Sequence, residues 1–215
     1  MKFRPPTFCT ALLLIFPHLA SALEQAGFAE DFEKSDLGKS PAGFMVMAGT
    51  FSVVQQSSNR VLELPGEPLD TFGLLFGPAG KAGISATARF LGTNKGRKFP
   101  TFGLSLHGVG GYRLQVSPAK KSLEIYRGDQ IKGTVQFSWT SGVWTQLKLQ
   151  THATASGWTI QGKAWLASET EPSAWMLTLD EKAEPPAGRA GIWGSPYSGT
   201  ALYFDDLLMK PAPDQ

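Results

Sequence analysis

Apolar and polar side chains alternate most clearly in the middle of the chain. Residues 101–107 and 112–116 each carry an apolar side chain at every second position, and Leu123 and Ile125 continue the pattern. Short turns rich in Gly, Pro and Lys separate the three runs. Because side chains of a strand alternate between its two faces, this spacing predicts a three-stranded antiparallel meander with one face in a core.

The other face of these three strands is polar. If consecutive strands pair as hairpins, the side chains that share this face are Ser105, His107, Arg113, Gln115, Glu124 and Tyr126. A guanidinium, a carboxylate, an amide, an imidazole and a phenol together suit the binding of sugar hydroxyls around a stacking ring. An ordinary solvated sheet face gives the same alternation, so both interpretations stay open.

The rest of the chain between Phe28 and Met209 also shows strand-like runs and no convincing helix. The 24 glycines and 15 prolines suit a β protein with many turns. The runs outside the meander cover residues 28–32, 144–149, 157–166, 174–179 and 201–209.

Two short motifs in the last third carry a family resemblance. Lys163-Ala-Trp165 is followed by Glu171-Pro-Ser-Ala-Trp175, and the closing run contains Phe204-Asp-Asp. This order resembles the concanavalin A-like lectin/glucanase jelly roll, the group that also holds laminin G-like modules and DUF1080 (3-keto-disaccharide hydrolase) domains. The resemblance implies an all-β, two-sheet antiparallel jelly-roll sandwich. We expect one such domain over residues 23–210 and a disordered tail at 211–215.

The first residues have the features of a signal peptide. Lys2 and Arg4 precede an apolar run at 11–16, and residues 20–22 form a small-x-small cleavage site. We therefore expect residues 1–22 to be removed and the protein to be secreted or periplasmic. A membrane-spanning helix needs about 20 apolar residues, which neither this run nor any later one provides, so membrane insertion is not expected.

Removal of this segment changes the composition. The only cysteine, Cys9, leaves with it, so the mature chain has no thiol for a disulfide, a zinc–thiolate site or a cysteine nucleophile. The full chain has 20 basic and 18 acidic residues. Because Lys2 and Arg4 leave with the segment, the mature chain has a formal net charge of zero. A neutral chain with scattered charges lacks the basic footprint of a nucleic-acid-binding protein.

Catalytic signatures are weaker than the fold signals. Related glucanases carry paired carboxylates on one strand, but here the closest pair, Glu169 and Glu171, lies at a Pro-bounded turn. The DUF1080 resemblance implies another route, in which a base removes a proton next to a ketone. Glu124 and His107 are the candidate catalytic residues, with Arg113 as a donor to the enolate. A solvated loop histidine is the alternative interpretation of His107.

A structural Ca²⁺ is the only cofactor expected. Asp205 lies in the last strand and Asp31 near the first, and the resemblance implies that these strands are neighbours. In several relatives carboxylate and backbone oxygens hold Ca²⁺ there, as this hard cation requires. The alternative is that the acidic pair only caps the strand and accepts hydrogen bonds from loop amides.

Two aromatic residues near the end of the chain are candidate sugar contacts. Trp193 and Tyr197 lie in the segment 191–197, which is rich in Gly and Pro and which we interpret as a loop at the rim of the site.

These observations lead to three hypotheses. The first is a secreted carbohydrate-binding module without catalysis, with a glycan or polysaccharide on its concave sheet at Arg113, Gln115, Glu124, Tyr126, Trp193 and Tyr197. The second is a glycoside or 3-keto-glycoside hydrolase or lyase of the DUF1080 type. The third is a laminin G-like adhesion module with a protein partner, which should expose a contiguous apolar patch.

Overall fold

The computed structural model describes residues 27–81 and 83–213, so the predicted signal peptide lies outside the described residues. In this part of the chain there are fifteen strands and one short 3₁₀ helix, Pro118–Lys120. The strands are β1 (Phe28–Glu30), β2 (Met45–Ala48), β3 (Ser52–Gln56), β4 (Asn59–Leu64), β5 (Phe72–Gly80), β6 (Ile84–Leu91), β7 (Thr101–Leu106), β8 (Tyr112–Ser117), β9 (Ser122–Arg127), β10 (Gln130–Gln136), β11 (Thr145–Thr154), β12 (Gly157–Leu166), β13 (Leu177–Glu181), β14 (Gly188–Ser195) and β15 (Leu202–Pro211).

The strands form two antiparallel sheets. Sheet A has the order β13-β12-β11-β6-β15-β4-β3, and β1 also pairs with β15. Sheet B has the order β10-β9-β8-β7-β14-β5-β2. Within the described ranges no helix is long and apolar enough to cross a membrane.

The core lies between the two sheets. Phe90 of β6 and Phe102 of β7 stack across it with ring centroids 5.3 Å apart. Elsewhere the sheets approach closely, and a Cβ at Gly162 of β12 would lie 2.6 Å from a methyl carbon of Leu114 in β8. The apolar positions of the alternating runs are the ones that face this core, which confirms the predicted all-β jelly-roll sandwich.

The predicted central meander is also confirmed. Strands β7, β8 and β9 pair in sequence, with Leu104 opposite Leu114 and Leu114 opposite Ile125. All three side chains are fully buried. The faces of these strands that point away from sheet A are therefore brought together, as the alternation predicts.

The C-terminal boundary lies beyond the predicted one. Strand β15 runs to Pro211, and the amide of Ala212 donates to the carbonyl of Gly83 at 3.0 Å. The backbone is thus paired for at least two residues into the segment 211–215 that we expected to be a disordered tail.

The motif that carried the family resemblance has a structural role here. Lys163 of β12 is buried, and its Nζ lies 2.8 Å from Glu171 Oε1 and 4.5 Å from the ring centroid of Trp175. Lys148 Nζ also contacts Glu171, at 2.7 Å. These contacts hold the segment after β12 against the face of sheet A that points away from the core.

Candidate functional site

The candidate site is the face of sheet B that points away from sheet A, called the outer face below. The strand register arranges its side chains in rows that run across the strands. One row consists of Gly73, Trp193, Gly103, Gln115 and Glu124, and the next consists of Gly191, Ser105, Arg113 and Tyr126.

Trp193 lies flat on this face. Its indole covers Gly73 so closely that a Cβ at that position would overlap the six-membered ring. Its Nε1 donates to Ser105 Oγ at 2.8 Å, which fixes the ring in the plane of the sheet. One indole face packs on backbone, and the other lies on the side of sheet B away from the core.

The loop position predicted for Trp193 is wrong, because the residue belongs to β14 and pairs with Gly73 and Gly103. Tyr197 does lie on a loop, and its side chain is exposed (44%). Its hydroxyl is 3.3 Å from Thr71 Oγ1, and Tyr197 lines the same surface hollow as Gln115.

The side chain of Glu124 belongs to the outer face but is buried beneath its neighbours instead of being exposed to solvent. It is 3% exposed, and its carboxylate accepts hydrogen bonds from Ser117 Oγ (2.8 Å), Ser122 Oγ (3.0 Å), Lys120 Nζ (3.2 Å) and the Tyr126 hydroxyl (2.7 Å). Burial alone would raise the pKa of Glu124, but these four donors together hold it below its ordinary value. Glu124 is thus an ionised anchor that orients its neighbours.

The side chains around Glu124 were not singled out from the sequence. Ser117 and Ser122 flank one turn at positions that share the outer face, so period-two counting could have found them. Gln115 Nε2 donates to Ser117 Oγ at 3.0 Å, which links the amide to the Glu124 network. Gln115 therefore has a fixed orientation on the face.

The predicted position of His107 on the polar face is wrong. Strand β7 ends at Leu106, and His107 adopts a left-handed backbone conformation with φ of 65°. The turn directs the ring inward, where its Nε2 lies 2.7 Å from Thr151 Oγ1 of sheet A. His107 is 1% exposed, and burial lowers its pKa more than the backbone groups of Pro186 and Gly80 raise it.

This placement separates the two candidate catalytic residues. His107 contacts the opposite sheet, whereas Glu124 belongs to the outer face of sheet B. The described arrangement therefore does not bring His107, Glu124 and Arg113 to one substrate, as base-plus-donor chemistry requires.

Arg113 is central on the outer face. Its guanidinium carbon lies 4.8 Å from the ring centroid of Tyr126 and 5.9 Å from that of Trp193. Burial lowers the pKa of Arg113, against the opposing influence of Tyr126, Asp129 and Glu124. The group stays cationic at neutral pH because an arginine begins from such a high pKa.

Two shallow hollows flank Arg113, and the residue lines both. The first, about 210 Å³, also includes Trp193, Ser105 and Asp129. The second, about 290 Å³, also includes Gln115 and Tyr197. Both are smaller than the roughly 300–1,000 Å³ of enclosed small-molecule sites.

The residues proposed for Ca²⁺ have other partners. Asp205 is fully buried and accepts hydrogen bonds from Arg89 (2.6 Å), Asn59 (2.6 Å) and the Asp206 amide (2.8 Å). Asp31 is exposed and accepts from the amide of Glu33. Residues 27–81 and 83–213 contain no group of three or more His, Cys, Asp or Glu side chains placed to hold a metal. The contacts of Asp205 fit a structural salt bridge better than a set of calcium ligands.

Apolar side chains are exposed at one edge of sheet B. Met45, Val46 and Met47 of the edge strand β2 are 51%, 40% and 44% exposed. The register of β2 with β5 shifts between Val46 and Ala48. The adhesion hypothesis, with its protein partner, stays a prediction.

The comparisons with known proteins agree on the fold. No family model and no curated protein matches the sequence. Among solved structures, the chain is similar to a protein of unknown function with a galectin-like fold from Bacillus subtilis (TM-score 0.63, 11% identity, 89% of this chain and 99% of that one). It is also similar to the carbohydrate-binding module CBM66 from Bacillus subtilis (TM-score 0.54, 11% identity, 78% of this chain and 95% of that one). A third similar structure is lectin II from Ulex europaeus (TM-score 0.58, 14% identity, 87% of this chain and 98% of that one).

These similarities show that the chain has a lectin-like jelly-roll fold. Identities this low show the fold alone, because one fold hosts many functions. They also do not single out the laminin G-like or DUF1080 groups, whose particular resemblance stays a prediction.

Proposed function

We propose that this protein is a secreted or periplasmic carbohydrate-binding module that holds a glycan on the outer face of sheet B, without catalysis. The observation that carries the proposal is the indole of Trp193, fixed flat over Gly73 beside Arg113 and Gln115. A rigid aromatic plane next to oriented hydrogen-bonding groups suits a sugar ring, which has an apolar face and polar edges.

The construction of the face supports binding by a preformed site. Trp193 is fixed by Ser105, and Gln115 is fixed through Ser117 to Glu124. A ligand would not have to order these side chains, so little conformational entropy is lost on binding. The lectin and carbohydrate-binding module among the similar structures support the same class of ligand.

Binding without catalysis is favoured by the state of Glu124. A carboxylate that already accepts from four side chains is a poor base, and its lowered pKa keeps it from donating a proton near neutral pH. The hydrolase or lyase alternative would need a base that these residues do not supply.

Retention on polysaccharides tests the proposal. The mature chain is incubated with a panel of insoluble and gel-immobilised polysaccharides, both neutral and acidic, with calcium and with chelator. We expect depletion of the protein from the supernatant by at least one polysaccharide and no release of soluble sugar. Release of sugar would support the enzyme alternative, and failure to bind any member would contradict the proposal.

A further inference from the structure

Arg113 places a positive charge in the middle of the outer face, and no carboxylate of the described residues forms an ion pair with it. From this we infer that the glycan bound there is anionic and that Arg113 binds its carboxylate or sulfate group. The inference rests on the proposed function and specifies the class of glycan.

The lack of a partner distinguishes Arg113 from the other half-buried arginines in the described ranges. Arg89 pairs with Asp205 and Arg127 with Glu181, whereas Arg60 and Arg189 donate to backbone carbonyls. The Arg113 guanidinium forms no ion pair and donates no hydrogen bond to any residue in the described ranges, and its Nε is buried without an acceptor. The guanidinium nitrogens other than Nε are not buried, so water can solvate them and a carboxylate or sulfate group of a ligand can replace that water.

The nearby carboxylates do not take this role. Glu124 lies in the row next to that of Arg113, two residues before Tyr126. Its oxygens already accept hydrogen bonds from Lys120 and three hydroxyls. Asp129 lines the first hollow and lies at an exposed turn, outside ion-pair distance of Arg113. On this part of the face, the Arg113 guanidinium therefore has no carboxylate in ion-pair contact.

The stacking geometry leaves the donors of Arg113 available. Tyr126 and Trp193 contact the guanidinium through their rings, and such contacts leave the N–H groups at its edge free. The planar fork matches the two oxygens of a carboxylate and also fits a sulfate. Because Arg113 lines both hollows, a glycan chain that crosses them would pass its anionic group over the guanidinium.

Paired polymers that differ only in charge test the inference. Affinities are measured by gel retardation and calorimetry for polygalacturonate against its methyl ester, and for dextran sulfate against dextran. We expect at least about tenfold tighter binding to a charged member, because hydrogen bonds to charged groups are the strong ones. Preference in the first pair identifies a carboxylate glycan, and preference in the second identifies a sulfated one.

Two variants and a control assign the effect to Arg113. Arg113→Met should remove the preference for the charged polymer, and Arg113→Lys should restore only part of it because the fork is lost. Arg97→Met removes the same charge from an exposed connection and should bind like the wild type. Thermal unfolding of each variant checks that the fold is retained.

The possible failures are distinguishable. Equal affinity for both members of each pair, with Arg113→Met unchanged, would overturn the inference and leave a neutral-glycan module standing. Failure to bind any polymer, charged or neutral, would contradict the proposed function and the inference with it.

Discussion

Replacement of Trp193 by alanine is expected to abolish measurable glycan binding. The indole lies in the first row of the outer face, next to Arg113 of the second row. Loss of a central aromatic contact typically costs at least about 2 kcal/mol, which corresponds to a loss of affinity of about 30-fold. The measurement is a titration of the wild type and the variant with the polysaccharide that retains the protein.

Two further variants make this result specific. Trp165→Ala removes an indole that contacts Lys163 on sheet A, and it should leave affinity unchanged. Gly73→Ala leaves Trp193 in the chain but places a methyl group where the indole lies, so it should weaken binding by displacing the ring. If Trp193→Ala binds as tightly as Trp165→Ala, the outer face of sheet B is not the binding site.

Replacement of Arg89 by methionine is expected to destabilise the fold by about 3–5 kcal/mol. Asp205 is fully buried, and Arg89 is its cationic partner at 2.6 Å. Removal of that partner leaves a buried charge uncompensated, which is far more costly than losing an exposed pair. Urea unfolding at neutral pH measures the effect.

The control for this change is an exposed pair. Lys39 and Asp36 are 2.9 Å apart, with side chains 72% and 74% exposed, so Lys39→Met should leave the urea midpoint nearly unchanged. A loss of less than about 1 kcal/mol in Arg89→Met would contradict this expectation. It would mean that another group compensates the charge of Asp205, and a bound cation is the first candidate.

The sequence predicted the fold, and it predicted that some of the candidate residues share one face, because both depend on local alternation. Arg113, Gln115 and Tyr126 reach the outer face because β8 and β9 alternate regularly and pair as hairpins. His107 does not, because the strand ends one residue earlier and a left-handed residue reverses the side-chain direction. The period-two alternation of residue types along a strand does not reveal where such a left-handed residue ends the strand.

The error at Trp193 has a different origin. Glycines at 188, 191 and 194 make β14 look like a loop, since glycine is depleted in strands. In the fold, a Cβ at Gly191 would lie 2.7 Å from both Leu75 and Ser105, and one at Gly194 would lie 2.8 Å from Leu202. The glycines are required by long-range packing, which the sequence does not display.

The role of Asp205 is likewise non-local. Arg89, Asn59 and Asp205 come from three strands that only the sheet brings together. The sequence leaves open a calcium site and a strand cap that accepts hydrogen bonds from loop amides, and it does not reveal the ion pair with Arg89.

The central claim is that a glycan binds across the outer face of sheet B, and amide NMR shifts test it most directly. A soluble oligosaccharide of the retained polysaccharide is titrated into the ¹⁵N-labelled mature protein. We predict shifts in β7, β8, β9 and β14 and at the indole N–H of Trp193, with β6, β11 and β12 unaffected. Shifts confined to sheet A or to the edge strand β2 would contradict the account.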